Sequence, residues 1–161
     1  MKLNFSMIVF TAAYLVAIGC SPGDSLSPAA EQALRDSADF ELLSLDPDPG
    51  KTEGNGFCGW NVLGKTTIKD ATVRAKLISA FKAGVAESDD TAVDCFRPRH
   101  GIKVVHEGTT HEFVICFQCY QVEWYTDSDN TGGFHIAGSP QPTFDEILKA
   151  SNVPVAKKAN D

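Results

Sequence analysis

Short apolar runs separated by turn residues dominate the pattern along this chain. The first run, Phe40–Leu45, is closed by Asp-Pro-Asp-Pro-Gly, and a second run follows at Phe57–Leu63. Runs of this length between Pro, Gly and Asp clusters are typical of β-strands. Further along, Ile102–Val105 and Glu112–Phe117 flank a short polar segment that starts at His106. That arrangement predicts a β-hairpin.

Two other segments have the spacing of amphipathic helices. Asp70 is a suitable N-cap, and Gly84 a suitable stop, for a helix with the apolar stripe Val73, Leu77, Ala80 and Phe81. A shorter closing helix is predicted at Thr143–Ala150, with Thr143 as its cap. Tyr120–Tyr125 and Phe134–Ala137 add two more strands. We therefore expect an α+β domain, in which an antiparallel meander carries one main helix and a short C-terminal helix on one face.

The N-terminus has a different pattern. A short positive start precedes an apolar run from Phe5 to Ile18, and a small residue, Gly19, follows it. These are the parts of a secretory signal. The run of about 14 residues is shorter than the ~20 that a membrane-spanning helix needs. We therefore expect an export signal that is removed.

The end of this run, Val-Ala-Ile-Gly-Cys20, resembles the lipobox of bacterial lipoproteins, with Ala17 where the family more often has Leu. The resemblance implies cleavage before Cys20 and attachment of a lipid to its sulfur. Ser21 in the next position implies the outer membrane in a cell that has one. Acyl chains anchor through burial worth ~0.8 kcal/mol per CH₂. The expected location is the cell envelope, on the periplasmic side of the outer membrane or at the cell surface.

These features divide the chain into four parts. Residues 1–19 form the signal peptide, and residues 20–37 form a lipid-attached tether with a short helix at Ala29–Arg35. Residues 38–156 form the single α+β domain, and residues 157–161 form a frayed tail.

Charge narrows the range of partners. The whole chain carries a net charge of −7, and loss of Lys2 with the signal leaves a mature chain at −8. An acidic chain repels nucleic acid and anionic headgroups, so the membrane contact is expected through the lipid alone. Gly59–Thr66 matches the phosphate-loop pattern GxxxxGK[ST], but its interior Trp-Asn-Val-Leu favours a strand. We expect no nucleotide to bind there.

The cysteines carry the candidate chemistry. Besides Cys20 there are four: Cys58, Cys95, Cys116 and Cys119. An even number in an oxidising compartment favours disulfides. In an extended run the last two are unnatural partners, because three residues span ~10 Å and bridged Cα atoms lie within ~7 Å. We therefore expect bridges from Cys58 or Cys95 to the CxxC pair.

Three other interpretations of the cysteines stay open. They can be buried free thiols that serve as small apolar residues. Alternatively, zinc can be held tetrahedrally by Cys95, His100, Cys116 and Cys119. The third interpretation is thiol chemistry at Cys95, made reactive by neighbouring positive charge. The two cysteine segments together resemble small, uncharacterised exported bacterial proteins, and this resemblance implies no activity.

Arg97, Arg99 and His100 are candidates for an anion-binding site. Two arginines that bracket a proline can form a fixed fork for carboxylate or phosphate groups. They can equally pair with the domain's own acids, such as Asp94. The main functional expectation is a lipid-anchored, non-catalytic module that binds a protein or small anion or supports the envelope, without a cofactor. The alternative is a metal-binding or thiol-dependent exported protein.

Overall fold

The computed structural model describes residues 26–48, 56–89 and 91–157. Within these ranges the chain is an α+β domain, as the sequence predicts. Its elements are α1 (Pro28–Asp36), β1 (Asp39–Leu45), β2 (Val62–Thr67), α2 (Ala71–Ala86), β3 (His100–His106), β4 (Thr109–Cys116), β5 (Gln121–Thr126), β6 (Asp129–His135) and α3 (Gln141–Ala150). All strand pairs are antiparallel, in the order β2-β1-β3-β4-β5-β6.

Tight hairpins connect the strands of the meander from β3 to β6. Glu107 and Gly108, between β3 and β4, both have positive φ, at 49° and 83°. This is the backbone shape of the two-residue turns whose twist matches that of the flanking strands. Asp127 and Ser128 make the equivalent turn between β5 and β6. The hairpin predicted at His106 is therefore confirmed.

The main core lies between the sheet and the three helices. Among the described residues it contains twenty buried apolar residues, contributed by all three helices, by positions of β1, β3, β4 and β5, and by the connections at Ile68, Phe117, Ile136 and Val153. Phe81 of α2 is at its centre, with ring centroids 5.9 Å from Phe113, 6.0 Å from Phe134 and 6.4 Å from Phe144. We call this side of the sheet the helix face.

The opposite side, which we call the outer face, has a much smaller apolar cluster. Leu43, Leu45 and Val114 of the sheet are covered there by Phe57. Phe57 pairs with Trp60 across a tight turn, and its ring lies directly on Gly101. A Cβ atom at Gly101 would approach the Phe57 ring to 2.6 Å, so this packing requires glycine.

Helix α2 begins as predicted and ends later than predicted. The carboxylate of Asp70 accepts the backbone N–H groups of Thr72 and Val73 at 2.8 and 2.9 Å. Gly84, the predicted stop, lies inside the helix instead, since α2 continues to Ala86. A Cβ atom at Gly84 would collide with Pro140 before α3, so the glycine permits close packing rather than ending the helix.

Several other boundaries differ from the prediction. Helix α3 begins at Gln141 instead of Thr143, and no side chain caps it. Strand β2 begins at Val62, because residues 57–60 form the turn that covers the outer face. Strand β6 begins at Asp129, well before the predicted Phe134.

The first described residues, 26–37, belong to the packed domain. Ser27 caps α1, and the inner side of that helix is fully buried in the core at Ala30, Ala33 and Leu34. Residues 28–36, assigned to the tether from sequence, thus pack against the sheet. The signal peptide and Cys20 lie outside the described residues. In the described ranges, no helix combines the length and apolar character that crossing a membrane requires.

Candidate functional site

A turn at the end of β4 brings the CxxC cysteines together. The strand ends at Cys116, residues 117–120 turn, and Tyr120 adopts a positive φ of 59°. Cys116 and Cys119 form a disulfide with a Cα–Cα distance of 5.2 Å. The expectation that each would bridge to Cys58 or Cys95 is therefore wrong. The expectation assumes that residues 116–119 are extended. Instead they form a turn, in which the N–H of Cys119 donates to the carbonyl of Cys116 at 3.2 Å.

A third cysteine lies against this disulfide. The Sγ atom of Cys95, a free thiol, is 3.4 Å from the Sγ atom of Cys119. Cys116 and Cys119 are 1% and 0% exposed, whereas Cys95 is partly exposed. We call these three residues the sulfur cluster. Within it, Cys95 is the sulfur that solvent can reach.

Backbone contacts hold the Cys95 segment in place. The N–H of Val93 donates to the carbonyl of Cys119 at 3.2 Å, and the side-chain Nε2 of Gln121 donates to the carbonyl of Val93 at 3.1 Å. The carbonyl of Cys95 contacts the Cys119 sulfur. The segment before β3 is therefore fixed to the CxxC turn at several points.

The surroundings of Cys116 suit a sulfur that gains and loses charge. The backbone N–H of Cys119 donates to the Sγ atom of Cys116 at 3.2 Å. Hydrogen bonds of this kind favour a thiolate. The carbonyl of Arg97 lies 3.4 Å from the same Sγ atom and can accept the proton of a thiol. Cys116 thus has a hydrogen-bond donor that suits its thiolate and an acceptor that suits its thiol.

His100 lies on the other side of the sheet from the sulfur cluster. It is opposite Ile115 in the β3–β4 register and shares the helix face with it, while the next residue, Cys116, points to the outer face. The Nε2 atom of His100 is 2.8 Å from Oδ1 of Asp145, and the ring packs against Phe144. The zinc arrangement with Cys95, Cys116 and Cys119 is therefore not assembled.

Metal binding has no support in the parts of the chain that are described. In those parts, no group of three or more His, Cys, Asp and Glu side chains is arranged to hold a metal ion. Two of the four expected zinc ligands are joined in the disulfide, and His100 is bonded to Asp145. A tetrahedral site would need these sulfurs as free thiolates on the same side as the imidazole.

Burial governs the charge of the His100–Asp145 pair. Burial lowers the pKa of His100, although the hydrogen bond and charge of Asp145 oppose this effect. Burial by itself would raise the pKa of Asp145, but the bond to His100 and nearby positive charges, including Arg99, leave that pKa lowered. The pair is therefore a neutral imidazole beside a carboxylate at neutral pH.

The two arginines occupy different environments. Arg97 is exposed and Arg99 is buried. Across the described residues, neither guanidinium forms a hydrogen bond or ion pair, so the pairing considered with Asp94 is not seen. The anion-binding role of Arg97, Arg99 and His100 stays a prediction, and burial of His100 weakens it.

Cys58 is chemically separate from the sulfur cluster. Its thiol donates to the carboxylate of Glu112 at 3.5 Å, and that carboxylate is also 3.2 Å from the ammonium of Lys103. Burial, followed by the charge of Glu112, raises the pKa of the Cys58 thiol well above its usual range. Since the thiolate is the nucleophile, Cys58 is a poor participant in exchange.

The residues that match the phosphate-loop pattern do not form a phosphate-binding loop. Gly64, Lys65 and Thr66 lie inside β2, and Lys65 pairs with Glu41 of β1 at 2.8 Å. The helix that a phosphate-binding loop would need at the lysine begins only at Ala71.

Two parts of this arrangement cannot be predicted from the sequence. Asp145 is far from His100 along the chain, and nothing in the sequence links them. The contact of Cys95 with Cys119 depends on the unexpected turn at Tyr120.

No protein-family model matches the chain, and neither a curated protein nor a solved structure is detectably similar to it.

Proposed function

We propose that the chain is a lipid-anchored protein of the bacterial cell envelope whose domain exchanges disulfides through Cys95, Cys116 and Cys119. The observation that carries this proposal is the free Cys95 thiol, 3.4 Å from a sulfur of the Cys116–Cys119 disulfide. The envelope location rests on the N-terminal signal and on the residues that resemble a lipobox. Disulfides persist in such oxidising compartments.

The internal step is a thiol–disulfide exchange. The thiolate of Cys95 attacks Sγ of Cys119, the Cys95–Cys119 bond forms, and the Cys116–Cys119 bond breaks. The electron pair of the broken bond stays on Cys116, where the N–H of Cys119 already donates to the sulfur. The proton that Cys95 released is balanced by one taken up at Cys116. The step is an isomerisation, with no net oxidation or reduction.

The second step passes the disulfide to a partner with two thiols. One partner thiolate attacks Sγ of Cys95, forming a mixed disulfide and releasing Cys119 as a thiolate. The other partner thiolate then displaces Cys95 and closes the partner's own disulfide. Two electrons and two protons pass to the domain, which ends with three thiols, and the sequence is reversible. Burial of Cys116 and Cys119 directs the partner to Cys95.

Reduction by a small thiol tests this role. Wild type, Cys95→Ser and Cys58→Ser would be mixed with reduced glutathione, quenched with acid and mapped by mass spectrometry for the Cys116–Cys119 bond. We expect Cys95→Ser to slow its reduction at least about tenfold, because the accessible sulfur is gone. Cys58→Ser removes the second free thiol of the described residues and should match wild type. Equal rates for Cys95→Ser and wild type would overturn the proposal and favour a binding module without thiol chemistry.

The lipid anchor has a separate test. Cys20→Ser should block lipidation and cleavage and leave a precursor that retains residues 1–19. Mass spectrometry of the mature N-terminus would identify the lipidated cysteine in wild type. An unmodified N-terminus, or cleavage at another bond, would contradict the lipid-anchored location.

A further inference from the structure

Exposed apolar side chains are concentrated beside the sulfur cluster. Among the large apolar side chains of the described residues, three are exposed: Leu63, Val93 and Tyr120. Val93, 43% exposed, is bonded through its N–H to Cys119, and Tyr120, 40% exposed, directly follows Cys119. Two of the three thus lie next to the disulfide.

A cleft opens next to the same turn. It has a volume of about 250 Å³ and is lined by Glu87, Ser88, Asp89, Thr91, Tyr120, Ile136 and Ala137. Sites for whole small molecules are typically about 300–1,000 Å³. This cleft is smaller than that range, and its size suits a single side chain. Its wall at Tyr120 is continuous with the CxxC turn.

The cleft is acidic. The side chain and backbone of Thr91 hydrogen-bond to Asp89 and lower the pKa of its carboxyl, so Asp89 is charged at neutral pH. Glu87 supplies a second carboxylate, which accepts the hydroxyl of Ser139. None of the lining residues is Lys or Arg. A side chain that enters between these acids is favoured if it carries a positive charge.

We propose that this cleft and the exposed pair Val93 and Tyr120 bind an extended segment of a partner protein, with a Lys or Arg side chain in the cleft. The partner cysteine that exchanges with Cys95 lies a few residues from that basic side chain. The proposal rests on the exchange function above and names its substrate class. The chain's net charge of −7 also attracts basic partners over a distance.

Two synthetic peptides test the proposal. Each has one cysteine, and they are identical except for a Lys or a Glu a few residues from it. The measured quantity is the rate at which each reduces the Cys116–Cys119 bond of the whole domain at low ionic strength. In wild type the Lys peptide should react about two- to fivefold faster than the Glu peptide, as expected for one partly exposed ion pair. Added salt should reduce this ratio.

Charge-reversal variants locate the effect. Asp89→Lys should bring the ratio of the two rates to one or below it. Glu107→Lys makes the same change of charge in the β3–β4 turn, at the opposite end of β4 from Cys116, and should keep the wild-type ratio. If Asp89→Lys kept the wild-type ratio as well, the cleft would not be the docking site.

The remaining outcomes separate docking from chemistry. If both peptides reduced wild type at equal rates, and Cys95→Ser slowed both, the docking proposal would be overturned and the exchange function would stand. If Cys95→Ser slowed neither peptide, the exchange function itself would fail, and the docking proposal with it.

Discussion

The helix face and the outer face of the sheet differ in what they bury. The helix face holds the main apolar core, and His100, which is buried in it, is hydrogen-bonded to the half-buried Asp145. Among the described residues, the apolar cluster of the outer face has four buried members, Leu43, Leu45, Phe57 and Val114. The side chains of Cys58 and Cys116 lie on this outer side, and Cys119 and Cys95 adjoin Cys116. One face therefore supplies stability, and the other is free to carry reactive groups.

This division has a simple origin in strand geometry. Successive side chains of β4 point to opposite faces, so Phe113 and Ile115 enter the core while Val114 and Cys116 face outward. A cysteine at the last outward position of a strand can join a turn without disturbing the core. Replacements on the two faces should accordingly have different consequences.

The largest effect is expected from Phe81→Ala on the helix face. Phe81 contacts three other aromatic rings and is fully buried, so its removal should lower the free energy of unfolding by about 3–5 kcal/mol. Val93→Ala, at an exposed position, should change it by less than about 0.5 kcal/mol. Urea denaturation measures both, and comparable losses would contradict the assignment of stability to the helix face.

A smaller effect is expected from Gly101→Ala on the outer face. The added methyl group would push Phe57 away, and overpacking of this kind costs about 1–3 kcal/mol. Because Phe57 anchors the turn that holds Cys58, alkylation of Cys58 should become faster. Urea denaturation and timed alkylation would be read on the same samples. A variant with wild-type values in both measurements would show that Phe57 does not hold this turn.

The smallest effect concerns pH and the buried imidazole. Because the folded protein lowers the pKa of His100, the unfolded chain binds a proton first on acidification. The contribution of His100 to stability is thus present above its unfolded pKa of about 6.5 and is lost as the pH falls below that value. The pKa of Asp145 is also lowered, and its contribution to the unfolding free energy is lost only at more acidic pH.

His100→Gln should reduce the loss of unfolding free energy between about pH 7.5 and pH 5.5. Burial also lowers the pKa of His111, so this residue should still contribute to the pH dependence of the unfolding free energy in that variant. Denaturation at a series of pH values gives the slopes, and the same slope in His100→Gln and wild type would contradict a buried neutral His100.

Features set by local sequence could be predicted, and those set by tertiary contacts could not. Asp70 and the apolar stripe after it define the start of α2, and Glu107-Gly108 suits a tight hairpin. The turn at Cys116–Cys119 has no such signal, because Phe and Gln are not turn residues and a left-handed Tyr120 is unusual. The carbonyl of Tyr120 accepts the N–H of Ile136, and this contact between distant parts of the chain has no local sequence signal.

The candidate site was predicted in part for the same reason. The sequence groups Cys95, Cys116 and Cys119, but their pairing depends on a turn at residues 117–120, where the sequence pattern predicts a strand. His100 was assigned to this group because it is close in sequence to Cys95, and strand alternation places it on the helix face instead. Likewise, Gly84 was interpreted as a helix stop, because its contact with Pro140 comes from a distant segment.

The most direct test of the account is the location of the disulfide when Cys116 is removed. If Cys95 can attack Cys119, then Cys116→Ser, oxidised under mild conditions, should contain a Cys95–Cys119 bridge in the monomer, while Cys58 stays alkylatable. Peptide mapping after acid quenching and alkylation, without reduction, identifies the bonded pair. Alkylation of both Cys95 and Cys119 in the folded, oxidised variant would contradict the exchange between these sulfurs on which the account depends.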